Sequence, residues 1–135
     1  MKCVIVIDMD LPVGVIANTA AALGVSLASK IEGLTGKSLI DMNGRRHEGV
    51  TNIPIPILTM LKEELKDKYD EILEKGDQEI IIIGFNDVAQ KSLNYSDYEI
   101  KLASTSKDRI NFLGLCIYGP KRKVNKLTGS LKMLR

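Results

Sequence analysis

The chain has no tryptophan, one histidine, two cysteines and four prolines in 135 residues, and aromatic residues make up 4% of it. Each shortage removes a class of protein. His47 alone cannot build a multi-histidine metal centre, and two cysteines in no ligand-like spacing leave zinc too few ligands. No metal site is therefore expected. Cys3 and Cys116 each sit among aliphatic residues at opposite ends of the chain. They read as small buried apolar side chains kept reduced, not as a disulfide. No apolar run reaches the length of a membrane span. The opening "MKCVIVIDMD" carries one lysine, and Asp8 cuts its apolar stretch short, so it does not read as a secretory signal. A cytoplasmic protein with no membrane partner is the expectation.

What is present fits one α/β domain spanning residues 1–135, with 44% hydrophobic and 27% charged residues. The net charge of +2 is unevenly spread. Residues 120–135, "PKRKVNKLTGSLKMLR", carry six lysines and arginines and no acid, which leaves residues 1–119 net acidic. A basic tail on an acidic body can meet phosphate, and it can equally be the solvated face of a last helix.

Residues 2–7, "KCVIVI", form a short aliphatic run suited to a central strand covered on both faces. Asp10 is placed to cap the helix that follows, with Pro12 in its first turn. "VGVIANTAAALGVSLASKI" is apolar nearly all round, which predicts a helix packed on several sides. Asn43-Gly44 predicts a two-residue hairpin turn within 38–50. Pro54 and Pro56 keep the next stretch extended or loop-like, and Leu58, Leu61, Leu65, Tyr69, Ile72 and Leu73 then fall on one helical stripe ended by Gly76. "QEIIIIGF" predicts a second buried strand ending at Gly84. Residues 86–105 read as weaker helix, in one or two pieces, and "INFLGLCIYG" as a third buried strand broken by Gly114. A short helix and an extended end close the chain. Strands alternating with helices imply helices on both faces of a small sheet.

Asp8-Met9-Asp10 at the end of a strand raises the question of a magnesium-dependent phosphotransfer site. In phosphatases of the haloacid-dehalogenase type a threonine follows the second aspartate by two residues, and a later acidic pair holds the metal. Pro12 stands at the threonine position, and after the 79–84 strand only Asp87 is acidic. Asp10 reads better as a cap. "PVGVIAN" has one glycine, and the Gly36-Lys37-Ser38 triplet follows a helix and lacks the earlier loop glycine, so no dinucleotide or nucleotide phosphate loop is supported. No cofactor is expected.

The stretches "DMDLPVGVIANTAAALG", "DMNGRRHEGV", "PIPIL" and "IYGPKRKVNKLTGSLKMLR" resemble the bacterial domain-of-unknown-function 2000 family across the full length. The two ends also resemble the type II peptidyl-tRNA hydrolases. That resemblance implies a three-layer α/β/α fold with a small mixed sheet of about four main strands plus a short hairpin. The hydrolases place lysine, glutamine and histidine along the first helix. The matching positions are Val15, then Asn18 or Thr19, then Ala22, and the segment "LASTSKDRINFLG" carries Ser104, Thr105 and Asp108 in place of the hydrolase motif before the last strand. Ester cleavage needs an activated water and a stabilised oxyanion, and valine and alanine supply neither.

Asp10, Asn18, Thr19, His47 and Thr105 are the candidate pocket residues. Asn18 and Thr19 are polar positions in an apolar helix, and His47 is the one side chain whose ordinary pKa lies near neutrality. Lys121, Arg122, Lys123 and Lys126 are candidate anion ligands, and with no aromatic residue interleaved among them base stacking gains no support. Two functions follow. The first is a binding or regulatory module that keeps the hydrolase-like fold without its activity. The second is a divergent hydrolase acting on an RNA-linked or phosphate-bearing substrate through His47, Asn18 and the basic tail. The partners expected are a small-molecule or RNA-linked ligand and, through the small-residue helix or the tail, a second copy of the chain.

Overall fold

Val4 and Val6 alternate with Cys3, Ile5 and Ile7, so a strand through them has two apolar faces, and the computed structural model, which describes residues 1–135, buries both. In chain order the elements are β1 (Lys2–Asp8), α1 (Val13–Ala28), β2 (Leu39–Ile40), β3 (Arg46–His47), β4 (Ile57–Met60), α2 (Lys62–Lys75), β5 (Ile81–Asn86), α3 (Asp87–Lys91), α4 (Tyr95–Ala103), β6 (Phe112–Gly119), α5 (Lys121–Thr128) and β7 (Lys132–Met133). The main sheet runs β5-β6-β1-β4-β7, while β2 and β3 pair only with each other. β1 and β4 are parallel and the remaining pairs antiparallel, so the sheet is mixed.

Each sheet face has its own core. Leu23 and Leu27 of α1 pack with Cys3, Ile5, Ile7, Cys116 and Tyr118 on one face. Leu65 and Ile72 of α2 and Val124 of α5 pack with Val4, Val6, Leu58, Leu115 and Ile117 on the other. Cys3 and Cys116 are fully buried free thiols with sulfurs 3.6 Å apart, and the hydrogen bond between them, together with burial, raises the Cys116 thiol above its ordinary value. No helix is long and apolar enough to cross a membrane.

Several local expectations are corrected. Asp10 does not cap α1. The helix starts behind Pro12, which makes no side-chain cap, and it is the buried Asp8 whose Oδ1 accepts the Asp10 N–H at 3.0 Å. A residue pair that looked like a metal motif is thus a strand end turning on its own first carboxylate. α1 is not packed on several sides. Thr19, Leu23 and Leu27 are buried along one stripe, whereas Val13 and Val25 are 83% and 73% exposed, because a helix lying on one sheet face covers only one side of itself.

Leu58 belongs to a strand, not to the helical stripe. Pro54 and Pro56 hold the chain extended, and the extension continues through β4, which pairs in parallel with β1 at Ile5–Ile57 and Val6–Leu58. α2 therefore starts after Leu61 and buries Leu65 and Ile72, while Leu73 is exposed. Gly76 ends it at φ 62°, its N–H donating to the carbonyls of Ile72 and Leu73, as its helix-ending role requires.

Gly84 and Gly114 interrupt nothing. Both sit inside strands, at points where a side chain would collide: a Cβ on Gly114 would lie 2.8 Å from Ile7 Cδ1 and from Thr19 Cγ2, and one on Gly84 would strike the Phe112 ring. The hairpin turn is also longer than two residues. Asp41 Oδ1 accepts the N–H groups of Asn43 and Arg45, and Gly44 alone takes a positive φ, 79°.

Candidate functional site

The polar residues singled out in the sequence are spread over four places in the fold, and no hydrogen bond joins any two of them. Asp10 is exposed in the turn after β1, and Asn18 is exposed on the outer side of α1. Thr19, its neighbour, is fully buried, and its Oγ1 has no hydrogen-bond partner. His47 Nε2 lies 2.7 Å from Asp41 Oδ2 within the hairpin, with the imidazole exposed. That contact comes first among those holding the Asp41 carboxyl below the usual carboxylate range. Thr105 lies just past the end of α4, its hydroxyl donating to the Lys101 carbonyl at 2.7 Å.

A groove of about 450 Å³ lies elsewhere, between α1 and the α3–α4 segment over β5. Its size falls within the range of small-molecule sites. Ala22 and Ser26 of α1 form one wall and Ile83, Gly84 and Phe85 the floor; Ala89, Ser92, Asn94, Tyr95 and Tyr98 form the other wall. None of these ten residues is charged, in a chain with 27% charged residues.

Each part of the groove has a local cause. Ala22 and Ser26 are four residues apart, so they share one helix face, and their small side chains leave room above the sheet. Thr19 stands on that same face one turn earlier. Asn86 ends β5 nearly buried, and its Oδ1 accepts the Ala89 N–H at 2.9 Å to start α3. Its amide nitrogen donates to Tyr98 Oη at 3.2 Å, which fixes the ring and leaves the phenol proton free to donate. Asn94 caps α4 through the Asp97 N–H, and the Tyr95 and Tyr98 rings meet edge to face at 5.7 Å. Such a lining can clasp a flat apolar body and offer it a few hydroxyl and amide hydrogen bonds. It holds no group able to take up a proton near pH 7.

One sequence feature points to this groove: two tyrosines, Tyr95 and Tyr98, three apart behind the Asn94 cap. They share a helix face, which for aromatic residues on a polar helix marks a contact surface.

The anion candidates fare differently from the pocket candidates. Arg122, Lys123 and Lys126 line one cleft of about 210 Å³ with Lys75, Asp77, Ile72, Ile80 and Leu127, and Lys121 stays outside it. Lys123 Nζ bridges Asp77 Oδ2 and Glu79 Oε1, each at 2.7 Å, strapping α5 to the loop after α2. Lys123 holds the Asp77 carboxyl below the usual carboxylate range, with the Glu79 N–H adding to it, and Asp77 and then Glu79 raise the Lys123 ammonium.

The strap's contribution to stability is thus present above the unfolded carboxyl value of about 4 and below the unfolded lysine value of about 10.4. It is lost as pH falls through the lowered Asp77 value or rises through the raised Lys123 value. Thermal midpoints of the wild type and Asp77→Asn should differ by a constant margin between about pH 5 and 9, and the margin should shrink outside that window. A margin unchanged down to about pH 2 would show that the strap's charge is not what stabilises.

By its fold, then, this is a mixed α/β protein whose sheet carries helices on both faces, with an uncharged groove on one side and a basic cleft on the other. The chain belongs to the family described as "Protein of unknown function (DUF2000)", whose model matches residues 1–135. Among solved structures it is similar to the protein of unknown function Atu0240 from Agrobacterium tumefaciens strain C58, at 18% identity and a TM-score of 0.86. That match covers 98% of this chain and 96% of the other. At that identity the likeness speaks for the fold alone. No curated protein matches the chain.

Proposed function

We propose that this protein is a cytoplasmic single-domain binding module that holds a small, uncharged, flat ligand in the groove between α1 and α4. The type II peptidyl-tRNA hydrolase-like classification belongs to the same reading, and the resemblance of the two chain ends supports it. One observation carries the proposal: ten residues from α1, β5, α3 and α4 enclose a ligand-sized space without a single charge. A charged substrate would lose its hydration there and find no counter-charge. The groove also has no base to activate water, which supports binding over hydrolysis.

Calorimetric titration with 2-naphthol, an uncharged planar probe, tests this. Saturable binding is expected, together with a loss of at least about tenfold in affinity when Ser26→Phe fills the groove. Ala22→Phe, filling it one turn away, should do the same. Binding that survives in both folded variants would remove the groove from the proposal.

A second reading rests on the Asp41–His47 contact, which could orient an imidazole as a general base in a divergent hydrolase acting on an RNA-linked or phosphate-bearing substrate. Asn18, Thr105 and Asp10 would then be its neighbours in a complex with substrate. Incubation with N-acetyl-aminoacyl-tRNA separates the two readings. The binding module releases nothing above background, whereas release abolished by His47→Ala would establish the hydrolase.

A further inference from the structure

We propose that the cleft between α2 and α5 is a second, separate site, one that binds a small phosphate monoester. Lys75, Arg122 and Lys126 hold the phosphoryl oxygens, and Ile72, Ile80 and Leu127 carry the apolar portion of the ligand. The chain leaves positive charge in this cleft uncompensated. Four cations and one carboxylate line the cleft, and Lys123 already engages that carboxylate, with Glu79 as well. Neither Arg122 nor Lys126 has a carboxylate within ion-pair distance, and Lys75 reaches only Glu71 of its own helix, at 3.7 Å.

Arg122 and Lys126 are also four residues apart on α5, where like charges repel across one helical turn. The same helix has no acidic residue in its first turn, so cations stand at its positive end. An anion seated among these groups would relieve both repulsions. A phosphate suits them. The arginine fork can take two of its oxygens side by side, while the lysines act as movable point charges from α2 and from the next turn of α5.

The apolar floor and the size narrow the class further. Inorganic phosphate would leave the half-buried Ile80 and Leu127 without an apolar partner. At about 210 Å³, room for roughly seven waters, the cleft lies below the range of drug-sized sites and holds a phosphoryl group with one short apolar portion. A nucleic-acid strand is disfavoured because no aromatic ring lines the cleft to stack a base.

Calorimetric titration of the whole chain at about pH 7.5 with phenyl phosphate, inorganic phosphate, phenol and a single-stranded RNA oligonucleotide tests the proposal. Phenyl phosphate should bind at least about tenfold more tightly than either of its two halves. Arg122→Gln, Lys126→Gln and Lys75→Gln should each weaken it by about threefold to tenfold. Lys121→Gln removes the same charge from the same helix but lies outside the cleft, and should change affinity by less than about twofold. All four are changes of charge at the surface, and an unchanged thermal midpoint will show that each variant folds. Equal losses in Lys121→Gln and Arg122→Gln, equal affinity for inorganic and phenyl phosphate, or tighter binding of the oligonucleotide would each overturn the site. Because Ser26→Phe blocks only the groove on the other sheet face, it should leave phenyl phosphate binding intact.

Discussion

Replacing Leu65 by alanine is expected to cost about 3 to 4 kcal/mol, a fall of about 10 °C in the thermal midpoint. Leu65 is the one fully buried side chain of α2, and it packs in the cluster formed by Val4, Val6, Leu115 and Ile117 of the sheet with Val124 of α5. Truncation there removes apolar contact and leaves a cavity that three layers of structure cannot collapse into. Leu61, just before the helix and 46% exposed, should lose less than about 1 kcal/mol on the same change. Denaturant unfolding of the two variants compares them directly. Equal losses would mean that α2 does not meet the sheet through the stripe described here.

The second large effect is expected from Gly114→Val, at about 3 kcal/mol of destabilisation. Gly114 pairs with Ile7 at the centre of the sheet, and α1 lies directly above it. Even a Cβ would come within 2.8 Å of Ile7 Cδ1 and Thr19 Cγ2 and 3.1 Å of the Val6 carbonyl oxygen. The side chain can be accommodated only by lifting α1 off β6, which would also disturb the Ala22 and Ser26 wall of the groove. Gly114→Val should therefore unfold at lower denaturant and bind 2-naphthol more weakly. A variant with wild-type stability would contradict the close approach of α1 to the sheet.

These contacts show which parts of the fold were legible in the sequence. β1 and the bulk of β6 were readable because uninterrupted aliphatic runs suit strands buried on both faces, and α2 because Leu65, Tyr69 and Ile72 keep helical period. β4 was not readable, since Leu58 and Leu61 extend the helical spacing backwards by chance while the pairing that makes Ile57–Met60 a strand is made with distant β1. Gly84 and Gly114 looked like breaks because what demands glycine there, the Phe112 ring and α1, approaches from elsewhere in the chain.

The candidate sites divide in the same way. Arg122, Lys123 and Lys126 were visible as a run of charge, whereas Lys75, Ile72 and Ile80 join them only when α2 and α5 lie side by side. The groove left almost no trace, because alanine, serine, isoleucine and phenylalanine carry no chemical signature and come from four separate elements. Polar residues such as Asn18 and His47 stand out by type, and their type says nothing about whether they face a common space.

Amide chemical-shift mapping during a 2-naphthol titration is the sharpest test of the proposal that this protein takes its ligand in the groove bounded by Ala22, Ser26, Ile83 and Tyr98. Shifts are expected to concentrate at Ala22, Ser26, Ile83 to Phe85, Tyr95 and Tyr98, with the hairpin around His47 unmoved. Shifts centred on His47, Asn18 and Thr105, with the groove residues silent, would contradict it.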